Sequence, residues 1–204
     1  GDRDCRRTAT DGILFDARNA SGTLDHGITV ERVDVQKFCD GIVIGSEDDG
    51  SRISDVIVRY AIAHDNGDAG VLTYDPAWKH HDIRNVRITH TLAYRNHQQG
   101  GIVVFGVDGG VVDHSVAYDN GPASGLVGIW AFDSNRIVLE HDESYGNSSR
   151  GDDGDGFDFD GGVTNSVMKY DYSHDNTGIG FLVCACASWW YVSHGNVIED
   201  NVSI

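Results

Sequence analysis

One segment recurs along the chain, and its recurrence restricts the fold more than any other feature. ISDVIVRYAIAHDN (53–66), IRNVRITHTLAYRN (83–96), VDGGVVDHSVAYDN (107–120), NRIVLEHDESYGN (135–147) and VTNSVMKYDYSHDN (163–176) all close on an asparagine. Those residues, Asn66, Asn96, Asn120, Asn147 and Asn176, are 30, 24, 27 and 29 residues apart in turn. A drifting period of this length is the mark of a solenoid, in which loops absorb the drift. Eight residues before each asparagine stands an apolar side chain (Val58, Ile88, Val112, Leu139, Met168), and three before it a small one (Ala63, Ala93, Ala117, Ser144, Ser173). Both columns follow if the copies stack.

After each asparagine comes a glycine and a short run of β-formers, as in Gly101-Ile102-Val103-Val104-Phe105 and Gly128-Ile129-Trp130-Ala131-Phe132. Such runs, bounded by Gly and Asn/Asp, read as strands. The 26 glycines against 2 prolines fit a chain of many tight turns. Two or three strands per copy, each pairing with its equivalent about 4.8 Å above and below, predict an all-β chain: a right-handed parallel β-helix of about seven coils. The repeat runs through residues 1–204 as a single domain. GNVIEDNVSI (195–204) starts another copy and stops, which suggests a piece of a longer chain or last rungs that pair edge to edge with another copy. The asparagines are expected to form a ladder in one turn, in the left-handed conformation that suits Asn. His90, His114 and His141, in a column with Tyr60 and Tyr170, and His64 and His174, aligned with Tyr94, Tyr118 and Tyr145, read as ring stacks rather than metal sites. His80 and His81 are loop residues without an identifiable partner.

With 15 Lys and Arg against 32 Asp and Glu, the formal charge is −17, a field that repels nucleic acid and anionic membranes. No apolar stretch is long enough to span a bilayer. Cys5, Cys39, Cys184 and Cys186 form no zinc pattern and read first as thiols, although Cys5 and Cys39 could join in an oxidising compartment.

If Ile42, Ile44, Ile102, Val104, Phe157 and Phe159 point inward, strand alternation turns their neighbours outward. Two columns result: Leu72 and Tyr74, Val103 and Phe105, Trp130 and Phe132, Asp158 and Asp160, Leu182 and Cys184. An aromatic strip running into a carboxylate pair suits a sugar-binding cleft; alternatively the loop from Asp75 to Asp82, or a partner, covers it. Tyr74, Phe105, Trp130 and Phe132 are the candidate platforms, with Arg150 and Lys169 as basic candidates for substrate. Asp158 and Asp160, two residues apart on one face, with Asp133 from the coil below, are the candidate catalytic carboxylates. Gly151-Asp152-Asp153-Gly154-Asp155-Gly156-Phe157-Asp158-Phe159-Asp160 concentrates acids that need solvent, arginine or a cation between them, and its glycines let oxygen ligands converge on Ca²⁺.

NSVMKYDYSHDN followed by GIGFLV resembles the right-handed β-helix repeats of pectate-lyase-like proteins, over most of residues 27–204. The resemblance implies a secreted or cell-surface protein acting on a polysaccharide, as lyase or glycosidase, or a non-catalytic adhesin-like module of the same fold. Asp153-Gly154-Asp155-Gly156-Phe157-Asp158 is similar to an aspartate run that holds calcium in one class of pectate lyases, which would make Asp153, Asp155 and Asp158 the ligands. This chain departs from that pattern at Gly154, and the family's catalytic lysine matches no residue here.

Overall fold

The computed structural model describes residues 5, 10–17, 24–46, 51–75, 81–121, 126–151, 153–184 and 192–204. Every strand pairing among them is parallel and joins one coil to the next, and the strands sort into three sheets. The first holds Ile13–Ala17, Ile42–Ser46, Ala69–Tyr74, Gly100–Phe105, Val127–Phe132, Asp155–Phe159 and Phe181–Val183. The second runs through Leu24–His26, Arg52–Arg59, Ile83–Thr89, Val107–Asp113, Asn135–Glu140, Val167–Lys169 and Val197–Glu199, with Thr29–Glu31 also paired to Arg52–Arg59. Short strands make the third: Asp34–Gln36, Ile62–His64, Leu92–Tyr94, Val116–Tyr118, Glu143–Tyr145, Tyr172–His174 and Val202–Ser203. The chain is a right-handed parallel β-helix of about seven coils, as the repeat predicts. No helix of the described residues is long and apolar enough to cross a membrane.

Each column of the repeat has a place in the stack. Val58, Ile88, Val112, Leu139 and Met168 are in register along the second sheet and buried in the interior. Ala63, Ala93, Ala117, Ser144 and Ser173 line the inner face of the third sheet, where a larger side chain would meet the glycines of the first. A Cβ on Gly128 would lie 1.9 Å from the Ser144 hydroxyl, so glycine is required at that approach.

The buried asparagines form the expected ladder. Nδ2 of Asn66, Asn96, Asn120 and Asn147 each donates to Oδ1 of the asparagine one coil on, at 3.0, 3.1, 2.9 and 2.9 Å. Their backbone N–H groups donate to the same oxygens. One detail differs from expectation. The left-handed residue is the one before each asparagine: Asp65 (φ 53°), Arg95 (51°), Asp119 (52°), Gly146 (63°) and Asp175 (53°). The bend there turns the asparagine inward, which its own amide must do to reach the next rung. Both ring columns are stacks, with centroids 5.1–5.2 Å apart from Tyr60 to Tyr170 and 4.6–5.1 Å apart from His64 to His174.

Cys5 and Cys39 form a disulfide with Cα atoms 5.5 Å apart, and Cys184 is disulfide-bonded as well. The first reading of these cysteines as thiols is therefore corrected. Cys186 lies outside the described residues, as do His80, Asp152 and residues 76–80 of the loop considered as a cover for the aromatic strip.

Candidate functional site

Alternation on the first sheet delivers the two outward columns. Val43, Leu72, Val103, Trp130, Asp158 and Leu182 are in register through six coils, and Phe105 and Phe132 pair in the column that Asp160 continues. Between them, Ile42, Ile44, Ile102, Val104, Phe157 and Phe159 fill the interior. Asp158 therefore stands next to Trp130 and Asp160 next to Phe132, with the two acids' Cα atoms roughly 6.6 Å apart by the strand rise.

The strip is less open than alternation alone suggests. Val43, Ala69, Leu72 and Val103 form a second buried cluster on the outside of the sheet, with Phe105 and Trp130 packed against it. The Trp130 indole N–H donates to the Gln99 carbonyl at 2.9 Å. Tyr74 meets Phe105 at 79° and Phe105 meets Phe132 at 69°, so these rings pack edge to face and spend their flat surfaces on one another. Tyr74 is the exposed member, at 38%, while Phe105, Trp130 and Phe132 are half-buried. Of the four candidate platforms, Tyr74 thus presents an exposed edge that leads to a partly covered corner.

Asp158 is 4% exposed, and among the described residues its Oδ1 meets no hydrogen-bond donor. Burial pushes its carboxyl up to about 8, and the charges of Asp160, Asp155 and Asp153 push the same way. Half-buried Asp160 is raised too, by burial, against the Gly161 N–H that donates to its Oδ1 at 2.6 Å. Asp133 lies one coil below, where its N–H donates to the Gly161 carbonyl at 2.9 Å. Its carboxylate faces His81, whose Nε2 is 3.8 Å away. Sequence reasoning left His81 without a partner because it precedes the strand Ile83–Thr89 in a stretch that the repeat does not cover.

The remaining candidates separate. Lys169 is on the second sheet, bound to Glu140 at 3.0 Å and over the Tyr170 ring, so it does not join the acids. Arg150 is exposed in the segment leading into Asp155–Phe159. Asp153 is exposed, whereas buried Asp155 accepts the Ile179 N–H of the next coil, and burial raises its carboxyl. Among the described residues, no group of three or more His, Cys, Asp or Glu side chains is placed to hold a metal ion. In the set that the calcium resemblance implies, the unpartnered oxygen of Asp158 suits a cation, while Asp155 has an oxygen already engaged.

No curated protein matches the chain significantly. Among solved structures, a GH136 lacto-N-biosidase from Eubacterium ramulus superposes with a TM-score of 0.72 at 15% identity, over 94% of this chain and 36% of that one. A mutant of a periplasmic alginate epimerase superposes at 0.63 with 16% identity, over 88% of this chain and 40% of that one. The chain spans well under half the length of either protein, and at these identities the likeness is one of fold. That fold is shared with carbohydrate-active β-helix enzymes. The family described as a right-handed beta helix region matches residues 79–204, more than half of the sequence, and the chain belongs to it.

Proposed function

We propose that the chain hydrolyses a neutral glycan outside the cell, with Asp158 as the proton donor. The observation that carries this reading is the buried Asp158, its carboxyl pushed well above the usual range by burial, beside Asp160 on the outer face of the first sheet. A glycosidase needs one carboxyl that holds a proton at neutral pH and a second carboxylate to activate water or attack the anomeric carbon. Asp158 would protonate the leaving oxygen; Asp160, with Asp133 below it, would supply the second carboxylate. Tyr74 is the ring edge available to a sugar. Among the described residues, the charged groups acting on Asp158 are the carboxyl groups of Asp160, Asp155 and Asp153, and the chain carries a charge of −17, so a neutral polymer meets less repulsion than a polyuronate. The Cys5–Cys39 disulfide supports an oxidising compartment.

The unpartnered oxygen of Asp158 favours one second reading. A calcium ion held by Asp153, Asp155 and Asp158 would offset a uronate charge and serve β-elimination. Incubation with neutral and uronic polysaccharides, with calcium or chelator, separates the two. New reducing ends on neutral glycans without unsaturated products are expected. Unsaturated products lost with chelator would replace hydrolysis by the lyase reading, and silence across the panel by folded protein would leave a binding module.

A further inference from the structure

His81 owes its position to two anchors on the turn that follows the first sheet. Counting on from Thr73, Val104 and Ala131, which are in register, places Asp75, Gly106 and Asp133 in one column. Gly106 is left-handed (φ 73°), and a Cβ there would fall 2.4 Å from Cβ of Asp75, so the column closes only with glycine in the middle. Buried Asp75 accepts the Asp82 N–H at 2.9 Å, which ties down the segment entering Ile83–Thr89. The His81 carbonyl accepts from Arg84 Nε at 3.5 Å. So held, the imidazole turns Nε2 toward Asp133 Oδ1 at 3.8 Å, an ion-pair distance longer than a hydrogen bond. That nitrogen is buried, with no hydrogen-bond partner among the described residues.

We infer that His81 is a positioning residue: tied down through Asp75 and Asp82, its imidazole fixes the Asp133 carboxyl group at the corner lined by Phe132 and Asp160. The catalytic meaning of this pairing rests on the hydrolytic reading above, but the pairing itself does not. Asp133 is the largest influence on His81 and raises it above its ordinary 6.5, desolvation opposes, and Asp108 and Asp75 add to the rise. Among the described residues, the carboxyl groups acting on the ring are those of Asp133, Asp108 and Asp75, with Arg84 on its backbone side.

The test is an NMR titration of the imidazole protons in the wild-type chain, with the His81 signal identified by its loss in His81→Gln. The expected midpoint lies above 6.5 and falls in Asp133→Asn, where desolvation acts with less opposition. A wild-type midpoint at or below 6.5, or one that Asp133→Asn leaves in place, overturns the pairing whether or not the protein cleaves any glycan. If the midpoint behaves as expected and no glycan is cleaved, the pairing stands and the hydrolytic reading falls. Where cleavage occurs, His81→Gln is expected to lower kcat by up to about 100-fold with KM little changed, the scale of a small misplacement of a catalytic group. Unchanged kcat with the fold intact would overturn the positioning role.

Discussion

Asn120→Ala is expected to destabilise the protein by at least about 3 kcal/mol, lowering Tm by roughly 6–12 °C for a domain of this size. Asn120 is fully buried in the middle of the ladder. Its amide donates to the Ala93 carbonyl at 3.1 Å and to Asn147 at 2.9 Å, and its Oδ1 accepts from both the backbone and side chain of Asn96. Alanine removes all four bonds and strands partners that remain buried, each at a cost of about 1–3 kcal/mol. In a solenoid each coil is held by its neighbours, so the loss weakens the interfaces on both sides. Thermal and urea unfolding measure it; a shift below about 1 kcal/mol would mean that the ladder contributes little.

The opposite result is expected at Asp142 and Asp171. Both are 2% exposed, and each accepts one backbone N–H from the coil below: Ser115 to Asp142 at 2.7 Å, Asp142 to Asp171 at 2.9 Å. The remaining oxygen of each has no partner among the described residues. One coil further, Asn201 occupies the same column, accepts the Asp171 N–H and donates its amide to the Met168 carbonyl at 2.9 Å. Register carries that carbonyl to Leu139 for Asp171 and Val112 for Asp142, so a protonated acid or an amide fits where a carboxylate oxygen would face a carbonyl. Burial accordingly raises Asp171 to about 7, against the Asp142 N–H and with Glu140 adding to the rise. Asp142 is driven well above 3.8 by burial, then by Asp171 and Asp113. A group raised in the folded state stabilises fully below its unfolded value, and that contribution is lost as pH climbs through the folded one. The loss between about pH 4 and 7 is up to roughly 4 kcal/mol for Asp171. Asp171→Asn and Asp142→Asn are expected to raise Tm at pH 8 and to flatten its decline above pH 5. A Tm lower than wild type at pH 8 would contradict the assignment.

The sequence carries the architecture plainly because the asparagine column, the small column before it and the apolar column before that must be filled by similar residues in every coil. The second ladder is illegible by the same test. Thr91, Ser115, Asp142, Asp171 and Asn201 are of four residue types and have in common merely the capacity to stand inside a turn, and in four of them the side-chain oxygen accepts a backbone N–H. The left-handed bend went unread for a related reason: Asp65, Arg95, Asp119, Gly146 and Asp175 are of three residue types, and none of them is buried. At the site, alternation places Asp158 and Asp160 correctly on the outer face. It cannot foresee that the neighbouring rings pack edge to face, that Glu140 takes Lys169, or that a segment outside the repeat brings His81 to Asp133.

The most direct measurement is reducing-end release from neutral glycans by wild type, Asp158→Asn and Asp160→Asn, with each fold verified. The account predicts activity in the wild type and a loss of about 10²–10⁴-fold in Asp158→Asn, the range set by a general acid. Activity of Asp158→Asn within a few-fold of wild type would contradict it.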